Sequence, residues 1–291
     1  MATTIAVLGA TGVYGRHLLP RLLARGHRVR ALVRRPEAAA VATACGADVR
    51  LADVFDAASL QAGLEGCDVG INLATSLPAP GKAGGDYALN DRLRREGTPI
   101  WIRACRDAGV PRIMQQSIAM VHGTWGDDWS DEDTLYAGDE GNLAAHAVAA
   151  ALAMEDTVRA SALDWAILRG GLFYGPGTGF DDDWFARARA GTLRLPADGH
   201  GWVSLVHVAD MAAATVAAIE RWPSRRALIV ADDGPSRWRD VLGYVAAAVG
   251  AAAPAAGGRA ALPSFRVRNG RAREALAWHP VYPDYRAGLA R

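Results

Sequence analysis

TIAVLGATGVYGRHLLPRLLARG, residues 4–26, runs from a short apolar stretch through a glycine-rich turn into Val13, Leu18, Leu22 and Leu23 at helical spacing. A buried strand, a tight turn and an amphipathic helix in this order form the first half of a βαβ unit. Gly9 permits the tight turn, Gly12 lets the backbone approach a pyrophosphate, and Gly15 allows the helix to pack closely on the strand. The helix N-terminus then offers its amides to the phosphates, so Gly9, Thr11, Gly12, Val13, Tyr14 and Gly15 form the candidate dinucleotide cradle. The spacing is GxxGxxG and not GxGxxG, so the strand-turn-helix context carries the reading. Pro20 inside the helix has no explanation at this level.

Beyond that unit the chain keeps alternating apolar runs with helical patterns: HRVRALV, ADVRLAD, DVGINLAT, RIMQQS and DWAILRG each precede or follow a helix. The pattern predicts an α/β Rossmann fold, a doubly wound parallel sheet covered on both faces. The boundaries read as a nucleotide-binding domain over 1–174 plus 205–232. A small C-terminal substrate lobe takes 175–204 plus 233–291, with RALIVADD returning to the sheet. The cofactor side has further candidates at the strand ends. No acid stands at Val33, where a carboxylate would accept the ribose hydroxyls of NAD. Arg34 and Arg35 stand beside it and suit a 2′-phosphate, which favours NADP over NAD. Asp53 can accept from the adenine amino group, Val54 and Leu73 flank the cofactor, and Ala74 is small enough to let it pass.

The 291 residues are 51% hydrophobic with a net charge of +1, which suits a globular chain with a sizeable core and gives no electrostatic footprint for nucleic acid. No apolar run is long enough to span a bilayer, and a strand beginning at Thr4 leaves no room for a leader peptide. Cys45, Cys67 and Cys105 stand singly, which suits reduced thiols in a cytoplasmic protein, and the scattered histidines predict no metal site. Lys82 is the single lysine among 32 basic residues.

GATGVYG, ALVRRPE, LADVFDAASLQAGLEGCDVGINLAT, REGTPIWIRACRDAGVPRIMQQS, LDWAILRGGLFYGPGT, VSLVHVADMA and NGRAREALAWHP together resemble the extended and atypical short-chain dehydrogenase/reductases, which include the NAD-dependent epimerase/dehydratase family and NmrA-like relatives. The resemblance spans nearly the whole chain. It implies a small-molecule substrate, a C-terminal substrate lobe and, by analogy, a homodimer through helices near 86–108 and 140–160. It also implies a Ser or Thr, a Tyr acting as acid or base, and a Lys four residues later that lowers the phenol pKa.

Aligning back from MEDTVRASALDWAILR puts that Tyr at Ala147 and that Lys at Ala151, and no register places Lys82 in the role. Ser117 or Ile118 takes the hydroxyl position, because QQSIAMVHG has one residue more than the usual spacing. His146, beside the vacated tyrosine position, is a candidate proton donor; Tyr136 and His122 are others. His207 and Asp210 read as structural, and Asp181, Asp182 and Asp183 as a helix start. Asp127, Asp128, Asp131, Glu132 and Asp133 read as a solvated loop in which Trp125 and Trp129 can cap an aromatic substrate. Arg266, Arg268, Arg271 and Arg273 read as an exposed basic face. Three functions follow: an NADP-dependent reductase of a small organic intermediate, a redox-neutral dehydratase, isomerase or cyclase, or a non-catalytic NADP sensor.

Overall fold

Along the first strand, Ile5 and Val7 are buried in one hydrophobic core while Ala6 and Leu8 are buried in another. That two-residue alternation, apolar on both sides, is what a strand covered by helices on each face requires. The computed structural model describes residues 2–77, 85–123, 126–134 and 143–290. Its order begins β1 (Thr4–Leu8), α1 (Val13–Ala24), β2 (Arg28–Val33), α2 (Ala39–Ala44), β3 (Asp48–Leu51), α3 (Ala57–Leu64) and β4 (Val69–Asn72). It continues through α4 (Tyr87–Arg92), α5 (Thr98–Asp107), β5 (Arg112–Ile118), α6 (Leu143–Arg159) and β6 (Asp164–Gly170). Next come β7 (Leu172–Tyr174), α7 (Phe180–Arg189), β8 (Arg194–Pro196), β9 (Trp202–Val203), β10 (Leu205–His207), α8 (Val208–Glu220) and β11 (Arg226–Val230). The remainder is β12 (Ser236–Arg237), α9 (Trp238–Ala248), β13 (Ala255–Gly258), α10 (Gly270–Leu276) and α11 (Tyr285–Leu289).

Seven parallel strands form the central sheet in the order β3-β2-β1-β4-β5-β6-β11. The order reverses between β1 and β4, and the crevice outside the carboxyl ends of those strands is where such sheets bind ligands. The predicted fold class is therefore the observed one. α1 and α8 cover one face through Leu18, Leu22, Met211 and Ala214, while α3 and α5 cover the other through Leu60, Leu64, Trp101 and Cys105. Gly70 of β4 leaves the room that Trp101 fills, since a Cβ there would lie 2.8 Å from the indole.

A further core gathers Trp184, Phe185, Trp238, Val241, Phe265 and Tyr285 from α7, α9 and the C-terminal segment. Helix α9 and the short strands β7, β12 and β13 have no counterpart in the sequence-based expectation. Helix α1 runs through Pro20 without a break, and that residue lies on its exposed side. None of the described helices is long and apolar enough to cross a membrane.

The glycines of the first turn divide their work as their positions suggest. Gly9 has φ +81°, and a Cβ there would meet the backbone of Leu73 and Ala74 at 2.8 to 2.9 Å. A Cβ on Gly15 would lie 2.2 Å from the Ala10 carbonyl oxygen, so the helix can approach the strand end only with glycine there. Alanine is ordinarily better than glycine inside a helix by about 0.8–1 kcal/mol. For Gly15→Ala the sign should reverse, with a loss of roughly 2 kcal/mol or more in urea unfolding. An unchanged or raised midpoint would contradict this close approach.

Candidate functional site

The first intrahelical bond of α1 runs from the Arg16 amide to the Gly12 carbonyl at 3.0 Å, so the amides of Val13, Tyr14 and Gly15 have no partner within the helix. Gly12 is exposed, while Thr11 and Val13 are half-buried around it. This glycine-lined helix start fits a pyrophosphate. Tyr14 is different: its hydroxyl is bonded to Thr215 of α8 and its ring packs edge-on against Phe173. Only its backbone amide remains for a cofactor. Arg34 and Arg35 are exposed just beyond β2, and neither side chain makes a hydrogen bond or ion pair among the described residues. Asp53 accepts from the Phe55 amide through Oδ1 at 2.9 Å, and its own amide donates to Ser59 Oγ. Val54 and Leu73 are buried, and Ala74 is half-buried with its amide donating to Asn72 Oδ1 at 3.0 Å.

Further along the strand ends, Ser117 of β5 turns away from the crevice. It is buried, and its Oγ donates to Glu155 Oε1 of α6 at 2.7 Å. Ile118 packs instead with Val121, Val148 and Ala151. Ala147 is half-buried and Ala151 fully buried on the same helix. Ile118 and Ala151 packed together, with Ala147 one turn earlier on the helix, thus make an aliphatic wall, and the Ser117 hydroxyl is committed elsewhere. His146 is exposed, as the turn of about 100° per helical residue dictates. Tyr136 and Trp125 lie outside the described residues.

Behind the wall lies a buried polar network that sequence reasoning missed. Arg169 of β6 donates twice to Glu155, Nε to Oε1 at 2.9 Å and Nη2 to Oε2 at 2.6 Å, with both side chains almost fully buried. Arg159 adds a bond to Oε2 from the surface side. Arg169 Nη1 lies 2.8 Å from His122 Nε2. A guanidinium can only donate, so Nε2 accepts, and His122 carries its proton on Nδ1, where it is bonded to the Thr134 carbonyl. Burial by itself would raise the Glu155 pKa, but Arg169, Ser117 and Arg159 together hold it below the usual range. Burial pushes His122 down to about 4, and the neighbouring Arg169 charge acts in the same direction. The signal was present in DWAILRG, where Arg169 is the one cation within a buried apolar run.

The acidic loop is not simply solvated. Asp127 accepts from Trp202 Nε1 and Arg237, Glu132 is half-buried and accepts from the Ile229 amide at 2.9 Å, and Asp133 pairs with Arg271. Arg266 donates to the Asp127 carbonyl and stacks over Trp129 and Trp202, with Arg268 also over Trp129. The basic C-terminal run therefore packs against this loop through Arg266, Arg268 and Arg271, of which Arg271 is paired with its carboxylates, while Arg273 pairs with Asp233. His207 and Asp210 are structural: His207 Nδ1 accepts from the Ala209 amide, and Asp210 accepts from the amides of Val281 and Tyr282.

A family of NAD(P)H-binding proteins matches residues 9–221 of this chain. A Streptomyces protein named 3-diazoavenalumate denitrifying reductase is 36% identical over 99% of both chains. The chain belongs to the atypical short-chain dehydrogenase/reductases. A Stigmatella aurantiaca quinoline-oxide ketoreductase is 28% identical over 81% of this chain and 70% of its own. A dTDP-glucose 4,6-dehydratase from Streptomyces venezuelae, solved with NAD, matches with a TM-score of 0.82 at 20% identity over 99% of this chain and 95% of that one. A UDP-glucose 4-epimerase from Thermus thermophilus, also with NAD, gives 0.79 at 20% identity over 98% and 96%. These two likenesses concern the fold. The chain is a nicotinamide-cofactor-binding, reductase-like enzyme.

His122 gives this enzyme a pH signature. Its folded pKa near 4 lies below the unfolded value, so between pH ~6.5 and ~4 the unfolded chain binds a proton that the folded chain refuses. Stability should be fully present above that window and fall through it by up to ~3 kcal/mol. His122→Gln should flatten this part of the profile in denaturant titrations. An equal slope in both proteins would place the titrating group elsewhere.

Proposed function

We propose that this enzyme is an NADPH-dependent reductase that delivers hydride to a small organic intermediate without drawing a proton from a protein acid, and that its substrates are diazo-bearing aromatic acids. The observation that carries the reading is the aliphatic wall of Ile118, Ala147 and Ala151, standing where the family resemblance implies a hydroxyl, a phenol and an ammonium. When bound across the Gly9 turn, the dinucleotide supplies a hydride. A ketone taking up hydride becomes an alkoxide and needs a proton, which is the work a tyrosine with a lysine partner performs. An arenediazonium group needs none: one hydride forms the C–H bond, the C–N bond breaks, dinitrogen leaves and the charge balances. A neutral diazo form requires one further proton, which ends on an oxygen within reach of water.

The residues of this chain then have positioning roles. Ile118, Val121, Val148 and Ala151 pack into one another and put no acid or base at these positions, which leaves orientation to supply the rate. Ser117 acts at a distance, by fixing Glu155. The name of the Streptomyces relative supports a diazo substrate over a ketone for this site. Exposed, unpartnered Arg34 and Arg35 support NADP over NAD.

Incubating the enzyme with an arenediazonium carboxylate and NADPH deuterated at the transferable position should yield one dinitrogen and one deuterated arene per cofactor oxidised. Conversion without cofactor oxidation would sink the reductase reading in favour of redox-neutral chemistry. In the same assay His146→Ala and Tyr136→Phe should keep turnover within about threefold, because neither would serve as the proton donor. The double variant Arg34→Ala, Arg35→Ala should weaken NADPH binding by roughly 10- to 100-fold and leave NADH binding unchanged; equal losses for both cofactors would overturn the NADP assignment.

A further inference from the structure

The aliphatic wall has a cation beside it, brought from another element. Between α4 and α5 the chain makes a π turn, Leu93–Gly97, and Arg94 within it is 6% exposed. A π turn inserts an extra residue into a helix and so re-aims its side chains, a device common at functional sites. Arg94 Nη1 donates to the Ala147 carbonyl at 2.8 Å. In α6 that same oxygen receives the amide of Ala151 four residues on. The guanidinium thus rests against the helical turn that carries both alanines.

The charge is not balanced locally. No carboxylate lies within ion-pair distance of Arg94 among the described residues, and one of its five N–H groups is engaged. Asp91 and Glu155 are close enough to oppose the effect of burial only in part, so its pKa is drawn downward. Glu155 is already shared by Arg169 and Arg159. Arginine does not lose its proton in proteins, and a buried charge without a partner is costly. A site that keeps one beside an otherwise inert wall is suited to receive an anion.

We propose that Arg94 is the substrate-anchoring residue of this enzyme, binding the anionic oxygens of an aromatic carboxylate whose reacting end then lies against Ile118 and Ala147. The inference rests on the proposed function above and takes the nicotinamide to lie along the Ala147–Ala151 face, where the family resemblance implies the Tyr and Lys. Bidentate guanidinium–carboxylate pairing supplies both charge and orientation, which a site without acid–base groups requires from elsewhere.

The test uses the full-length enzyme saturated with NADP and two unreactive probes, cinnamate and its neutral amide. The wild type should bind cinnamate at least about tenfold more tightly than the amide. Arg94→Gln, which can still donate to the Ala147 carbonyl but lacks the charge, should erase that preference, and Arg94→Lys should restore part of it. NADP affinity should stay within about twofold in all three. Without ligand, Arg94→Gln should melt at or above the wild-type temperature, since it removes an unbalanced buried charge. Retained preference for cinnamate in Arg94→Gln, a fall in NADP affinity in its place, or a lowered melting temperature would each overturn the proposal. Failure of the wild type to bind NADP at all would instead strike at the cofactor reading.

Discussion

The buried pair between Arg169 of β6 and Glu155 of α6 fixes the geometry on which the rest of the site depends. Helix α6 is rich in alanine, and methyl groups bury little area each, so packing alone gives it a shallow hold on the sheet. The bidentate pair, at 2.6 and 2.9 Å, ties the helix to β6, while Ser117 joins Glu155 to β5 and His122 joins Arg169 to the loop at Thr134. Removing one member of such a pair costs about 3–5 kcal/mol, because it strands the other charge. The helix is thereby held in a defined position although Ala147 and Ala151 have no polar groups of their own with which to hold anything.

That position has an electrostatic consequence. Arg169, Arg94 and Arg159 stand against two acids, Glu155 and Asp91, and His122 is neutral, so the ground beneath the wall is net positive. A positive environment favours an anionic substrate and also favours transfer of a negative hydride toward it. On the proposed reading, catalysis here is orientation over an apolar surface with charge supplied from below, and an electrophile that needs no proton is the chemistry matched to it.

Much of this was readable in the sequence, for identifiable reasons. The glycine turn was legible because each glycine answers a steric demand between neighbours in the chain or at adjacent strand ends: Gly15 against Ala10, Gly9 against Leu73. The parallel sheet was legible because short apolar runs alternate with helical patterns along the chain, and the burial of β1 on both faces agrees with it. That Ala147 and Ala151 stand at the Tyr and Lys positions is a reading of the sequence, drawn from the resemblance and from Lys82 being the single lysine. The Glu155–Arg169–His122 network was not anticipated, because it joins residues 14 and 47 apart whose proximity only the sheet creates. Tyr14 was counted with the cofactor set, but its side chain is claimed by Thr215, 201 residues away. Arg94 escaped notice because a charged residue on a helical segment reads as solvent-facing until the π turn is known. The acidic loop misled in the same way, since its countercharges, Arg237 and Arg271, lie more than 100 residues further along the chain.

The most direct test of hydride delivery without a protein proton donor is the single-turnover rate of cofactor oxidation with a diazonium acid, measured in light and heavy water across the neutral pH range. The account predicts a rate that slows when the transferable hydrogen of NADPH is deuterium, yet is the same in both waters and flat with pH. A rate that falls in heavy water and tracks a single ionisation would mean that a protein acid takes part, and would contradict it.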